Sequence, residues 1–512
     1  MSRSHMPNPR SNRSALAAAG SLLLCAGCTV GPDFAAPNQP TPAAFAGVDP
    51  ASQPPNLAST PVASAPDVVA WWNQFNDPAL SGLISRAAQS NLTLAQAETR
   101  IRQARAARVI AASGLFPSVD ASASATRART GSTTDSGDHF SSTRNLFREG
   151  FDATWEIDIF GGVRRGIEAA DAQVRSAILD RQAVLVSLAG ELATNYLQLR
   201  GAQQQLAIAN RNLAAQQETL DITQQRLDAG FVSALDVAQA KSNVTQTASQ
   251  IPGYEAQIRT SIYAISVLLG QTPDALLAEL LPEAPFPAPP ATVPVGLPSD
   301  LLLRRPDLRR AEADLHAATA RVGVAVADQY PKFFLTGGFG LSGSRIESLT
   351  TMADRFWSIG PSVSVPVFTA GRNAAAVEQA KAVADEALLT YRGSVLTALQ
   401  DVETALVNFT REQQRRVSLT EALAANREAV ALSLELYSGG RTTFLDVLTA
   451  QRALFNTEAS LSQSQTTIGT NLVALYKALG GGWNPSDVDP PNPAPPTADQ
   501  PSSQSATTPI AH

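Results

Sequence analysis

Side chains able to do chemistry are sparse in this chain, and their spacing argues against catalysis. The four histidines, His5, His139, His316 and His512, lie too far apart in sequence to suggest a metal site. The two cysteines, Cys25 and Cys28, sit together near the N-terminus, so neither a zinc set nor a Cys–His nucleophile pair suggests itself. No catalytic residue and no metal ligand is assigned, and the chain reads as a non-enzyme. Two carboxylates do recur in a pattern. Asp236 and Asp446 each stand in a Leu-Asp-Val triplet that begins five residues after a glycine. Nucleic acid is not expected as a partner, since a net charge of −6 and a pI near 5.4 lack the basic face it demands.

The N-terminus reads as an export signal. Arg3, Arg10 and Arg13 precede a short apolar stretch, Ala15 to Leu24, and then the small residues Ala26 and Gly27. That stretch falls short of the roughly 20 residues a spanning helix needs. The run Leu24-Cys25-Ala26-Gly27-Cys28 resembles a bacterial lipobox, with Cys25 where Leu is usual. It predicts removal of residues 1–27 and a covalent lipid on Cys28, with no other cofactor. The competing reading is an ordinary cleaved signal with incidental cysteines. Loss of Cys25 and acylation of Cys28 would leave no free thiol, as suits an oxidising periplasm. No later segment offers 18 consecutive apolar residues, so any membrane-spanning part must be β.

The elements that would carry these residues are duplicated. Leu235-Asp236-Val237 returns as Leu445-Asp446-Val447, and the same offset of 210 residues aligns Gly161 with Gly371 and Gln203-Gln204 with Gln413-Gln414. Upstream, Glu98 with Glu312 and Pro117 with Pro331 continue the match at an offset of 214. So long a period is a domain-scale duplication. The expected organisation is a lipidated extended segment at 28–65, a first repeat at 66–281, a Pro-rich linker at 282–298, a second repeat at 299–482 and a disordered tail at 483–512. Within each repeat a seven-residue apolar series, Ile178 to Leu227 and Leu388 to Tyr437 with Arg416 the one break, specifies coiled-coil packing. No proline interrupts 162–229 or 371–438, so each predicts one helix of about 68 residues, roughly 100 Å long.

Four segments alternate in period 2, at about 118–128, 150–160, 332–342 and 356–368. Phe151, Ala153, Trp155 and Ile157, for instance, alternate with Asp152, Thr154, Glu156 and Asp158. Each is about the 9–11 residues of a tilted membrane strand. The polar segments 127–149 and 342–355 read as exposed loops. A soluble sandwich is the competing reading. Four strands cannot close a barrel and open edges do not survive in lipid, so membrane strands must be shared between subunits.

Three motifs carry a family resemblance: Cys28-Thr29-Val30-Gly31-Pro32-Asp33-Phe34, the segment from Gly296 to Asp307 containing Leu303-Arg304-Arg305-Pro306-Asp307, and the repeated Gly-x4-Leu-Asp-Val. Together they resemble the TolC-like outer-membrane efflux family, and within it the NodT/OprM-type lipoproteins of resistance–nodulation–division efflux systems, over about 29–482. The resemblance implies a mixed α+β membrane protein. Its homotrimer would share one 12-stranded β-barrel, four strands per chain, continuous with a long periplasmic α-helical coiled-coil barrel. It further implies a lipid-anchored outer-membrane exit duct that passively conducts substrates from an inner-membrane efflux transporter and a periplasmic adaptor protein. An exit duct for type I protein secretion is the alternative, and a periplasmic coiled-coil scaffold lipoprotein a more distant one. Gln203, Gln204, Gln205, Gln216, Gln217, Gln224 and Gln225 fit a neutral lumen surface, although glutamine is also simply a good helix former on solvated faces.

Gly230 and Gly440 are placed to end the long helices, with Ser233 and Thr443 as N-caps of the returning ones. The resemblance assigns adaptor docking to Ala229, Gly230, Phe231, Val232, Gly439, Gly440, Arg441 and Thr442; the plainer reading is that they only make the turns. It places Asp446 in a ring at a closed periplasmic gate, against the plainer reading of a helix-capping acid. Thr449 stands where the family's namesake carries a second Asp, which puts a double acidic ring in question. Tyr437 matches a tyrosine that tethers the closed state. Its basic partner would fall at Thr442, next to Arg441, so the tether is rewired or missing.

Overall fold

The structure is a computed structural model that describes residues 29–48, 57–64, 69–133 and 139–484. The expected signal peptide, Cys28 and the tail from 485 onward lie outside the described residues. An extended N-terminal segment leads to strand β1 (Thr60–Val62). Helix α1 (Pro78–Ser90) starts at Asp77, whose Oδ1 accepts from the N–H groups of Ala79 and Leu80 at 2.9 and 3.1 Å. Asn91 then caps α2 (Leu92–Ser113). Strands β2 (Ser118–Thr133) and β3 (His139–Ile157) lead into α3 (Gly162–Asp228), an unbroken helix of 67 residues. Helices α4 (Ala234–Ala248) and α5 (Ile251–Leu268) return along it, separated where Pro252 cannot donate a backbone hydrogen bond.

The short α6 (Leu277–Leu280), β4 (Thr292–Pro294) and α7 (Asp300–Arg304) connect the halves. The order then recurs as α8 (Pro306–Ala327), β5 (Lys332–Gly343), β6 (Arg355–Ser364), α9 (Arg372–Ser438) and α10 (Phe444–Ala478). Both long helices match expectation to within a residue. In the second half the return helix is continuous, because Ser462 stands where the first half has Pro252.

Strands β2, β3, β5 and β6 form one antiparallel sheet in that order, while β1 of the N-terminal segment pairs in parallel with β4 of the linker. The register aligns Ala121, Phe151, Phe339 and Trp357 in one row, and Val119, Ala153, Gly337 and Ile359 in another row on the same face. Side chains alternate between faces, so the row of Asp120, Asp152, Gly338 and Ser358 points the other way. One face is therefore apolar and the other polar. The apolar face is uncovered: Trp357 is 72% and Ile359 68% exposed.

The expected loop at 127–149 is largely strand. β2 continues to Thr133 and β3 begins at His139, with Arg127 opposite Asn145 and Arg129 opposite Thr143. Beyond the apolar rows both faces of the hairpin are polar, so the alternation that marks a strand disappears from the sequence. The 342–355 connection holds two 3-10 turns, Ile346–Thr350 and Met352–Asp354, and seats Ser348 over Gly343 of the sheet.

Helix α3 is the spine of the helical part. α2, α5 and α4 lie along one flank, α8 and α10 along another, and α9 packs on α8 and α10. Leu192, Leu197, Leu199, Ile262, Phe409 and Leu472 are fully buried between them, each contributing about 1.5–3 kcal/mol of burial energy. Trp71 stacks on Tyr476 with ring centroids 5.2 Å apart. Tyr196 donates to Asp77 Oδ2 at 2.7 Å, and burial together with that carboxylate pushes its pKa up to about 12.

Several glutamines expected on a lumen surface are buried instead. Gln203 donates to the carbonyls of Leu280 and Leu281 at 3.0 and 3.1 Å, and Gln205 to the carbonyl of Ala459 at 2.8 Å. Gln216 is buried beside them on α3, and Gln204 reaches Gln465 at 3.0 Å; Gln217, Gln224 and Gln225 stay exposed. Gln203 is buried under the connector that follows α5, whose carbonyls it caps, while Gln204 and Gln205 lie in the close packing of α3 on α10. Gly201 sets that approach, since a Cβ there would stand 2.2 Å from Thr466 Oγ1. Gly201→Ala is therefore expected to destabilise the protein by about 1–3 kcal/mol, and adding Thr466→Ala should recover part of it. Thermal midpoints of the purified variants measure this, and an unchanged midpoint for Gly201→Ala would show the seam to be loose.

Candidate functional site at the paired turns

The two turns are built alike. Gly230 adopts φ +81° and Gly440 φ +69°, the left-handed conformation that closes a helix. In the first turn Gly230 N donates to Leu227 O at 2.9 Å and Phe231 N to Arg226 O at 2.8 Å. In the second, Gly440 N donates to Tyr437 O at 3.0 Å and Arg441 N to Leu436 O at 2.8 Å. Ser233 with Asp236, and Thr443 with Asp446, then form reciprocal capping boxes that start α4 and α10. The expected caps are all present.

Asp446 is thus a capping acid, as the plainer reading held. Its Oδ2 accepts from Thr442 Oγ1 at 2.5 Å, Thr443 Oγ1 at 2.7 Å and Thr443 N at 3.1 Å. These donors hold its pKa below the usual carboxylate value. The group nevertheless stays exposed at the turn, so its negative charge faces water. Thr449 is exposed one turn on and bonds back to Leu445 O at 2.8 Å.

Tyr437 is buried among Ala240, Phe444, Val447 and Leu448, with its ring centroid 5.5 Å from that of Phe444. Its hydroxyl has no hydrogen-bond partner among the described residues. Arg226 stands 4.4 Å over the Tyr437 ring and donates from Nη1 to the Tyr437 carbonyl at 2.8 Å. This cation–π contact and hydrogen bond fasten the two turns to each other across the repeats. Arg226 escaped the sequence reading, because a basic residue in a last helical turn looks like ordinary dipole complementation. Of the docking candidates, Val232 packs inward against this cluster. Phe231 points outward, 76% exposed, and Leu235 and Leu445 of the two turns are likewise 64% and 60% exposed.

A second built feature lies at the opposite end of α3, at the foot of the sheet. Val30 N donates to Phe160 O at 3.1 Å, and Gly31 packs so closely on Gly323 that no Cβ fits. Asp33 pairs with buried Arg165 at 2.6 Å, Arg165 with Glu168 at 2.8 Å, and Glu168 with His316 at 2.9 Å. Phe34 stacks on the His316 ring at 4.3 Å. Burial pushes the Glu168 carboxyl up, but the bonds from Arg165 and His316 outweigh it and leave its pKa lowered. Residues 29–34 are thus strapped to the junction of sheet and helices.

With this geometry in hand, comparison with known proteins becomes specific. The family model described as "Outer membrane efflux protein" matches twice, over residues 83–271 and 297–481. Nodulation protein T of Rhizobium leguminosarum bv. viciae is 34% identical over 480 residues, covering 94% of this chain and 96% of that protein. The pyoverdine export outer membrane protein OpmQ of Pseudomonas putida is 36% identical over 417 residues, covering 81% of this chain and 88% of that protein. Among solved structures, the outer-membrane channel OprN superposes with a TM-score of 0.82 at 37% identity, covering 89% of this chain and all of that one. Two matched copies and relatives above 30% identity along nearly the whole length show that this chain belongs to the outer membrane efflux protein family, as an efflux channel of the NodT/OprM type.

Proposed function

We propose that three copies of this chain close one 12-stranded outer-membrane barrel above a periplasmic helical barrel, forming the exit duct of a tripartite efflux pump. One observation carries this reading. The four-stranded sheet has an apolar face, a polar face and two open edges, β2 and β6. In lipid those edges must be paired, and closure takes about eight strands or more. The helical part has matching needs, since Leu389, Leu396 and Val407 of α9 and Val109 and Ile110 of α2 are exposed along its flanks. The export and channel functions of the relatives support passage of cargo. The duct itself is passive; an inner-membrane transporter supplies energy and a periplasmic adaptor connects the two. A lipid on Cys28 anchors the chain, with the strapped residues 29–34 placing that anchor at the foot of the barrel.

In this reading the turns face the periplasmic entrance. Ala229, Gly230, Phe231, Gly439, Gly440, Arg441 and Thr442 meet the adaptor, with Phe231 as its apolar contact and Val232 supporting it from beneath. Three Asp446 carboxylates around the axis make a cation-attracting constriction, edged by Thr449 and Arg441. Tyr437 holds the gate through ring packing under Arg226, not through its hydroxyl.

Bilayer conductance tests the assignment. Purified protein is expected to form pores, and Asp446→Ala to raise conductance or weaken cation preference; protein that never conducts, even with Asp446→Ala, would sink the duct. Thr443→Ala removes the cap but keeps the charge, so an equal effect from it would remove Asp446 from the gate. Tyr437→Phe should leave the closed state intact while Tyr437→Ala opens it, and an opened Tyr437→Phe channel would restore the hydroxyl as a tether. For the anchor, Cys28→Ser is expected to abolish incorporation of labelled palmitate; continued labelling would refute the lipid site.

A further inference from the structure

We propose that the outer end of the sheet carries a site for the phosphate headgroup of an outer-leaflet lipid, formed by Arg127 and Arg129. The inference rests on the barrel reading. β2 and β3 run 16 and 19 residues, whereas crossing the hydrocarbon takes about 9–11. The excess lies at the hairpin end, away from the helices. On the apolar face β2 presents Val119, Ala121, Ala123 and Ala125, and next Arg127 and Arg129. The lowest apolar row holds Ile157, Phe333 and Val363, with Asp158 just after Ile157 and Lys332 just before Phe333. Twelve residues separate Ile157 from Asn145, the partner of Arg127. At about 3.4 Å per residue and a tilt of about 40°, that is a rise of about 31 Å. The apolar band of an outer-membrane barrel is about 25 Å tall, and here it closes near the row of Glu149 and Arg355, about 21 Å up, so both guanidinium groups stand at headgroup level above it.

Among the described residues, Arg129 Nη2 donates to Ser141 Oγ at 2.9 Å and no carboxylate pairs with either arginine. Glu149 is the one acid on this face among the described strand residues, and it shares a row with Arg355. Arg148, on the polar face, is by contrast engaged, 4.1 Å over the Phe356 ring. The turn that seats Ser348 on the outward face at Gly343 leaves Ile346 and Met352 62% and 60% exposed, apolar groups suited to the same interfacial layer. Arginine on a strand whose lower positions face hydrocarbon selects a lipid, because its planar fork matches two phosphate oxygens while its stem lies along the acyl region.

The test uses the full chain in phosphatidylcholine vesicles with and without a minor share of phosphatidic acid, followed by mild detergent extraction and native mass spectrometry of retained lipid. Wild type is expected to keep phosphatidic acid in preference to phosphatidylcholine, even in millimolar inorganic phosphate. The Arg127→Gln/Arg129→Gln variant should lose about tenfold or more of that retention. Arg144→Gln, a charge of the same hairpin on the opposite face, should keep it. Arg127→Lys/Arg129→Lys, which preserves charge and solubility, should retain less than wild type because ammonium groups lack the fork. Equal retention in the glutamine and lysine double variants and wild type, equal loss in Arg144→Gln, or displacement by inorganic phosphate overturns the site. Conductance of the same samples separates the two readings: wild-type pores without lipid preference sink this site alone, while absence of pores sinks the barrel.

Discussion

A strand edge must find partners for its N–H and C=O groups, in lipid most of all, and the proposed barrel turns on that constraint. Each half supplies one hairpin, too small to stand alone, and the halves meet through β3 and β5, where Phe151 lies opposite Phe339. The linker between them is long enough to let residues this distant pair. Even then two edges remain, at β2 and β6. In the proposed barrel the chain is therefore a unit that is complete only when other copies supply the missing neighbours.

The same logic of shared surfaces governs the helices, but water replaces lipid. A long helix in water gains little from its own hydrogen bonds and depends on packing along its length. Near the middle of α3 this packing is apolar, through Leu192, Leu197 and Leu199. Toward the turns the buried positions become Gln216, Thr219 and Thr223. The threonine hydroxyls bond back to carbonyls of their own helix, Thr219 also accepting from Gln451 at 2.9 Å, while Gln216 Oε1 has no partner among the described residues. Gly201, pressed on Thr466, shows how small residues permit that distance.

At the turns one carboxylate serves two ends. The capping box fixes the start of α10 and, by the same hydrogen bonds, keeps Asp446 ionised and in a set position. Beneath it, Tyr437 and Phe444 form a small apolar cluster that Arg226 closes from the other repeat. The likeness of the two turns stops there. Asp236 occupies the matching cap, while the buried tyrosine and its arginine come from different halves.

By itself the sequence determined those features whose cause lies within a few residues. Period-2 alternation marked the strand pairs, the seven-residue series and absence of proline marked the two long helices, and glycine followed by a Ser/Thr–Asp pair marked each turn. The hairpin beyond Phe147 was hidden, because a strand wetted on both faces leaves no alternation. Only the tertiary structure decided that Gln203, Gln205 and Gln216 are buried, since glutamine suits a solvated helix equally well. It alone joined Arg226 to Tyr437 and Arg165 to Asp33, partners 211 and 132 residues apart. Local backbone preference is written in neighbouring residues, whereas the partner of a charge or ring depends on which elements pack against one another.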